Sequence, residues 1–161
     1  MRSIIAITVL AIAAFGCSHS READLLGKWK RTDKMTVEQL KNPAAAKIQE
    51  DWEASTYFFG SDHHYAWNMG SSLNQTGTWT LQGDNITIHT GQINGMAVGE
   101  FTDRLKHSKR MQENPTAVNK LIELLGKDGH YRLSADGMSL EGTDSLDPGD
   151  HTPRYAKQPG H

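Results

Sequence analysis

Tyr57-Phe58-Phe59, the turn residues Gly60-Ser61-Asp62, and then His63-His64-Tyr65-Ala66-Trp67-Asn68-Met69 open the stretch that decides the fold. It continues, after a polar loop, with Gly77-Thr78-Trp79-Thr80-Leu81, the turn Gln82-Gly83-Asp84-Asn85, and Ile86-Thr87-Ile88-His89-Thr90. Large apolar residues alternate with polar ones, and turn residues fall between the runs. This is the pattern of antiparallel strands in sequence, each with one buried face. Side chains alternate faces along a strand, so His63, Tyr65, Trp67 and Met69 share one side, and His64, Ala66 and Asn68 the other. The bulkier set is expected inside with Trp79, Leu81, Ile86 and Ile88. Thr78, Thr80, Thr87 and His89 are then outside.

Outward from this meander, Leu25 to Arg31 reads as a first strand with Trp29 inward. Asp33 and Thr36 open a helical region. Asn42-Pro43 is a helix-start signal, a capping residue before a proline at the first helical position. Ala44, Ala45, Ile48 and Trp52 lie on one face of the helix it starts. Beyond Thr90, Gly91 to Gly99 lacks a period and reads as a loop or irregular strand. Glu100 to Arg110 suits a helix with Phe101 and Leu105 on one side. Asn114-Pro115 repeats the start signal before the stripe Val118, Leu121, Ile122 and Leu125, which Gly126 terminates. His130 to Ser134 is a strand with Tyr131 and Leu133 inward. Asp136-Gly137 is a hairpin turn, and Met138, Leu140 and Gly142 mark the return strand. Pro153 to Lys157 can add one short last strand. The class is mainly β: an antiparallel meander closing into a small barrel, or stopping at a half-barrel, with two helical insertions.

A chain of 161 residues fits one domain. Its formal charge of −2 implies no general attraction to nucleic acid. The single cysteine, Cys17, excludes an intrachain disulfide, a cysteine zinc site and a Cys-x-x-Cys redox centre. Arg2 and the apolar run Ile4 to Phe15, too short to span a bilayer comfortably, have the form of a secretory signal.

That run ends Ala14-Phe15-Gly16-Cys17 and resembles the lipobox of bacterial lipoproteins. An ordinary cleaved signal with an incidental cysteine is the alternative, since Ala14-Phe15-Gly16 is also a passable cleavage site. The resemblance implies that 1–16 is a signal peptide and that Cys17 is lipidated, with acyl chains such as palmitate holding the protein on a membrane of the bacterial cell envelope. Ser18 follows Cys17, where enteric lipoproteins retained in the inner membrane carry aspartate. This implies the outer membrane, facing the periplasm. Residues 17–24 are read as a polar tether; Ser18 to Asp24 reaches at most roughly 25 Å. The domain is 25–157, and 158–161 a flexible tail.

Gly27-Lys28-Trp29 on the first strand, Gly77-Thr78-Trp79, the Asp136-Gly137 turn and Arg154 on the last strand resemble the calycins, and in particular small lipocalin-like bacterial lipoproteins. In lipocalins and fatty-acid-binding proteins, an arginine or lysine from the last strand packs over the tryptophan of Gly-x-Trp. The resemblance implies a lipocalin-like barrel with Gly27, Trp29 and Arg154 in structural roles, Arg154 lying over Trp29.

Two uses of such a scaffold follow. The first is a lipid-anchored binding module whose pocket, lined by Trp29, Tyr57 or Phe58, His63, Tyr65, Trp67 and Trp79, takes a small apolar or amphipathic ligand. The second is a non-enzymatic envelope interaction or assembly protein, its barrel a solid core and its surface meeting a protein partner. A measured internal cavity separates them. Eight histidines invite a metal, but none pair at helical spacing and no cysteine helps, so no metal or cofactor is expected. There is no Gly-x-Ser-x-Gly, His-Glu-x-x-His or phosphate loop, and no catalytic residue is assigned. Arg104 to Arg110 is a basic run that could touch anionic lipid, or a solvated face balanced by Glu100, Asp103 and Glu113.

Overall fold

The structure is a computed structural model that describes residues 20–41, 49–70, 73–144 and 152–160. The signal segment, Cys17, the Asn42-Pro43 start with Ala44, Ala45 and Ile48, and the tail histidines His151 and His161 lie outside the described residues.

The strands are β1 (Gly27–Arg31), β2 (Thr56–Phe59), β3 (His64–Met69), β4 (Leu73–Gln82), β5 (Asn85–Ile93), β6 (Met96–Ala97), β7 (Gly129–Leu133), β8 (Ser139–Gly142) and β9 (Arg154–Lys157). All pair antiparallel in the order β4-β3-β2-β1-β9-β8-β7-β5, and β4 pairs β5 to close the ring. The result is an eight-stranded, lipocalin-like meander barrel with β6 appended to β5. Closure sets aside the half-barrel. First and last strands meet in the register Trp29↔Lys157, Lys30↔Ala156 and Arg31↔Tyr155, which removes the open edge each would otherwise present.

The inward faces follow the two-residue period. Trp29, Tyr57, Phe59, Tyr65, Trp79, Ile86, Ile88, Leu133, Leu140 and Tyr155 are buried in one cluster, with Trp67, Leu81 and Tyr131 packed against it. His64, Thr78, Thr80 and His89 are exposed and Thr87 is half-buried, as the alternation requires. Tyr57 is the inward partner of the Tyr57–Phe58 pair, and Phe58 faces out.

Helices close both ends. A short helix, α1 (Arg21–Leu25), precedes β1 and drives Leu25 fully into the core, where its carbonyl accepts from the Trp29 indole N–H at 2.8 Å. Gly27 then turns the chain into β1 at φ +111°, a conformation that residues with a Cβ rarely adopt. The Arg21 guanidinium fixes α1 to two hairpins, pairing with Asp24 at 2.9 Å and Asp84 at 2.7 Å and donating to the Ser134 carbonyl at 2.7 Å. So the polar stretch read as a tether is already part of the fold from Arg21. Its periodicity is too short to register, though Ser20 before Glu22 and Asp24 is a helix-start signal. At the other end, α2 (Val37–Leu40) and a helical run at 49–53 form the first insertion.

The second insertion carries α3 (Val98–Lys106), α4 (Lys109–Glu113) and α5 (Pro115–Leu125). Pro115 stands first in α5, where its missing N–H costs nothing. The stretch Gly91 to Gly99 is more regular than its glycines suggest. β5 runs to Ile93, turns at Asn94 and Gly95, both at positive φ, and returns as β6. The Asn-Gly dipeptide was the available signal. Among the described residues no helix is long and apolar enough to cross a membrane.

Candidate functional site

Tyr57 occupies the middle of the barrel. Its ring centroid lies 5.5 Å from Phe59, 5.9 Å from both Tyr65 and Trp67, 5.6 Å from Tyr131 and 4.9 Å from Tyr155. Edge-to-face and offset contacts at these separations are those of a packed aromatic core. Each polar tip finds a partner. The Tyr57 and Tyr131 hydroxyls share a hydrogen bond of 3.0 Å, Tyr65 meets the Thr90 hydroxyl at 2.8 Å, and the Trp67 indole N–H donates to Ser55 Oγ at 2.7 Å. Burial holds the hydroxyls of Tyr57, Tyr65, Tyr131 and Tyr155 in the neutral form, with pKa values above the ordinary tyrosine value.

Trp29, Tyr57, Tyr65, Trp67 and Trp79 thus converge, but on one another. His63 does not join them. It precedes β3 at φ +60°, is exposed, and stacks flat over Trp79 with centroids 4.6 Å apart while its Nε2 pairs with Glu22 at 3.3 Å. The strand alternation that placed it inside begins one residue later. The residue sits in the β2–β3 turn and lids the Trp79 end of the barrel.

Arg154 needs a correction as well. Tyr155 points inward, so its neighbour Arg154 must point out. Its guanidinium pairs with Glu141 at 2.8 Å on the surface. The cation over Trp29 is Lys157, two residues after Tyr155 and on the same face. Its ammonium lies 5.7 Å from the ring centroid and binds the Asp24 carbonyl.

At the opposite end, β1 turns Arg31 inward beneath Trp52, whose ring centroid is 3.7 Å from the guanidinium carbon. Asp33 accepts from Arg31 Nε at 2.9 Å and Nη2 at 2.7 Å, with only 7% of the Arg31 and 9% of the Asp33 side chain exposed. Burial works to raise the Asp33 carboxyl. The Arg31 guanidinium and the Arg154 backbone N–H outweigh it, and the pKa lies below the ordinary value. The two-residue period of β1 puts Arg31 on the face of Trp29, but its role is not legible in sequence, because its partners Asp33 and Trp52 come together only in the folded chain.

A concave site does exist, outside the wall. A groove of about 670 Å³ runs along the outer face of β1 and β2, with Leu26 at one end, Glu53 and Ala54 at the other, and Pro159 and Gly160 along its rim. The basic run is neutralised locally: Arg104 pairs with Glu100 at 3.1 Å, Lys106 with Asp103 at 3.0 Å and Lys109 with Glu113 at 3.5 Å. Among the described residues no group of three His, Cys, Asp or Glu side chains is placed to hold a metal ion.

No family model matches the chain, and no curated protein matches it. Among solved structures, the chain is similar to a DUF4847 family protein from Bacteroides vulgatus ATCC 8482. The two are 15% identical with a TM-score of 0.45, over 86% of this chain and 96% of that one.

Proposed function

We propose that this protein is a non-enzymatic interaction module of the bacterial envelope, held on a membrane through lipidated Cys17, its barrel a solid support and its outer surface the part that meets partners. The observation that carries the reading is the ring cluster around Tyr57, which fills the space where a lipocalin-like barrel would keep its ligand. The aromatic residues expected to line an interior pocket are satisfied by each other, and their hydroxyl and indole groups by protein partners. Lys157 over Trp29 supports the calycin-type resemblance, since a lysine of the last strand is one of its two forms. The short apolar run ending at Gly16-Cys17 supports the anchor.

Two measurements test it. Cys17→Ser should leave the chain unlipidated, with its signal uncleaved or the protein in the soluble fraction. Processing and membrane fractionation like the parent's would overturn the anchor. Titration with a neutral apolar probe, dodecanol, should leave the indole N–H resonances of Trp29 and Trp79 in place. Saturable shifts at both would mean a hollow barrel and return the interior-ligand reading.

A further inference from the structure

The outer groove brings two outward lysines and an exposed aromatic ring together. Lys28 and Lys30 project outward from β1, and across the strand pair Lys28 stands opposite Phe58 and Lys30 opposite Thr56. Neither lysine has an ion pair among the described residues, whereas the Arg104, Lys106, Lys127 and Arg154 side chains each hold a carboxylate. Phe58 is 54% exposed and lines the groove opposite Lys28. Lys157 borders the groove from β9 with its ammonium turned to the Asp24 carbonyl, and among the described residues Glu53 is the one acidic side chain in the lining. Two ammonium groups against one carboxylate among the described residues give a positive site, and Phe58 and Leu26 give it an apolar floor. The volume of about 670 Å³ is that of a small-molecule site, which typically falls between about 300 and 1,000 Å³.

We propose that this groove binds a single anionic amphiphile of the long-chain carboxylate class, with the carboxylate between Lys28 and Lys30 and the chain along Phe58 towards Leu26. Charge complementarity selects the headgroup: a carboxylate can accept charge-assisted hydrogen bonds from both ammonium groups. The concave form favours one molecule over a flat bilayer surface. A ligand here leaves the solid interior undisturbed, and the site does not depend on how the chain is anchored.

The test uses the full chain in nanodiscs of neutral phosphatidylcholine and a diazirine-bearing hexadecanoic acid, with cross-linked residues mapped by mass spectrometry. Cross-links are expected on Leu26, Phe58 and their neighbours, displaced by unlabelled hexadecanoate but not by hexadecyltrimethylammonium. Lys28→Glu with Lys30→Glu should cut labelling by at least roughly tenfold, the loss of two contacts to a charged group. Both side chains face solvent, and an unchanged circular dichroism spectrum will show the fold intact. Phe58→Ser should weaken labelling with the lysines in place. Absent cross-links, equal displacement by the cationic amphiphile, or labelling indifferent to the lysines would each overturn the groove and leave the solid-barrel reading standing. Cross-links on the inward Tyr65 or Trp79 would overturn both.

Discussion

Asp33 receives the Arg31 guanidinium in three hydrogen bonds and the backbone N–H of Arg154, so one carboxylate ties β1 to β9 at the closing seam. Removing it takes the paired carboxylate away from a buried guanidinium under Trp52. Asp33→Ala should cost about 3–5 kcal/mol in urea denaturation at neutral pH. Its folded pKa lies below the ordinary 3.8, so the stability it contributes is present above 3.8 and is lost as pH falls through the lower folded value. The parent should therefore lose stability more steeply than Asp33→Ala as pH drops below 3.8. Arg154 and Lys157 make a second test at this scale. Arg154→Ala removes an exposed pair with Glu141 and should change stability by less than about 1 kcal/mol. Lys157→Ala removes the cation over Trp29 and a hydrogen bond to Asp24, and should cost roughly 1–2 kcal/mol. Equal effects in thermal melts would mean the inward position of Lys157 has no energetic weight.

Among the elements, β4 carries the tightest constraint. Its pairing with β5 shifts register between Thr76 and Gly77, where Gly91 of β5 is the extra residue of a bulge that bends β5 around the barrel. A Cβ on Gly77 would stand 2.0 Å from the His89 carbonyl oxygen and 2.9 Å from Tyr65 Cε1. The nearest obstacle is backbone and cannot swing aside. Gly77→Ala should destabilise by roughly 1–3 kcal/mol or more. It should also raise amide hydrogen exchange along Gly77–Leu81 and His89–Thr90 before the rest of the barrel. Unchanged exchange there would show that β4 and β5 can separate without loss. The strand pattern around Gly77-Thr78-Trp79 was legible from alternation alone. The bulge was not: its extra residue is Gly91, in a glycine-rich stretch whose pairing to β4 only the folded sheet sets.

For the whole molecule, all four tyrosines of the chain, Tyr57, Tyr65, Tyr131 and Tyr155, lie on the inward face, and burial raises each hydroxyl. A raised folded pKa means stability that is fully present below the unfolded value of 10 and is lost as pH rises towards the folded one. Ultraviolet tyrosinate absorbance should therefore stay near zero through pH 10 and appear in one cooperative step together with loss of near-ultraviolet circular dichroism. A gradual rise centred on 10, with the fold intact, would mean that water reaches the tyrosines and the barrel is not solid.

The sequence by itself determined most of the inward residues of the central strands, the antiparallel meander, the Asp136-Gly137 turn and the start of α5 at Pro115, because these follow from a period of two, a turn dipeptide or a capping pair within a few residues. The resemblance to the calycins implied the first strand beside the last. The sequence put Trp29, Tyr57, Tyr65, Trp67 and Trp79 together without saying whether they enclose a space or fill it. Only the tertiary structure decided that, since filling depends on how wide the closed ring is and on rings reaching Tyr57 from β2, β3, β7 and β9. The tertiary structure likewise turned His63 out into a lid, chose Lys157 over Arg154, folded Arg21–Leu25 into a plug and opened the groove beside Lys28 and Phe58. In each case the deciding contact joins segments distant in the chain, where local pattern carries no information.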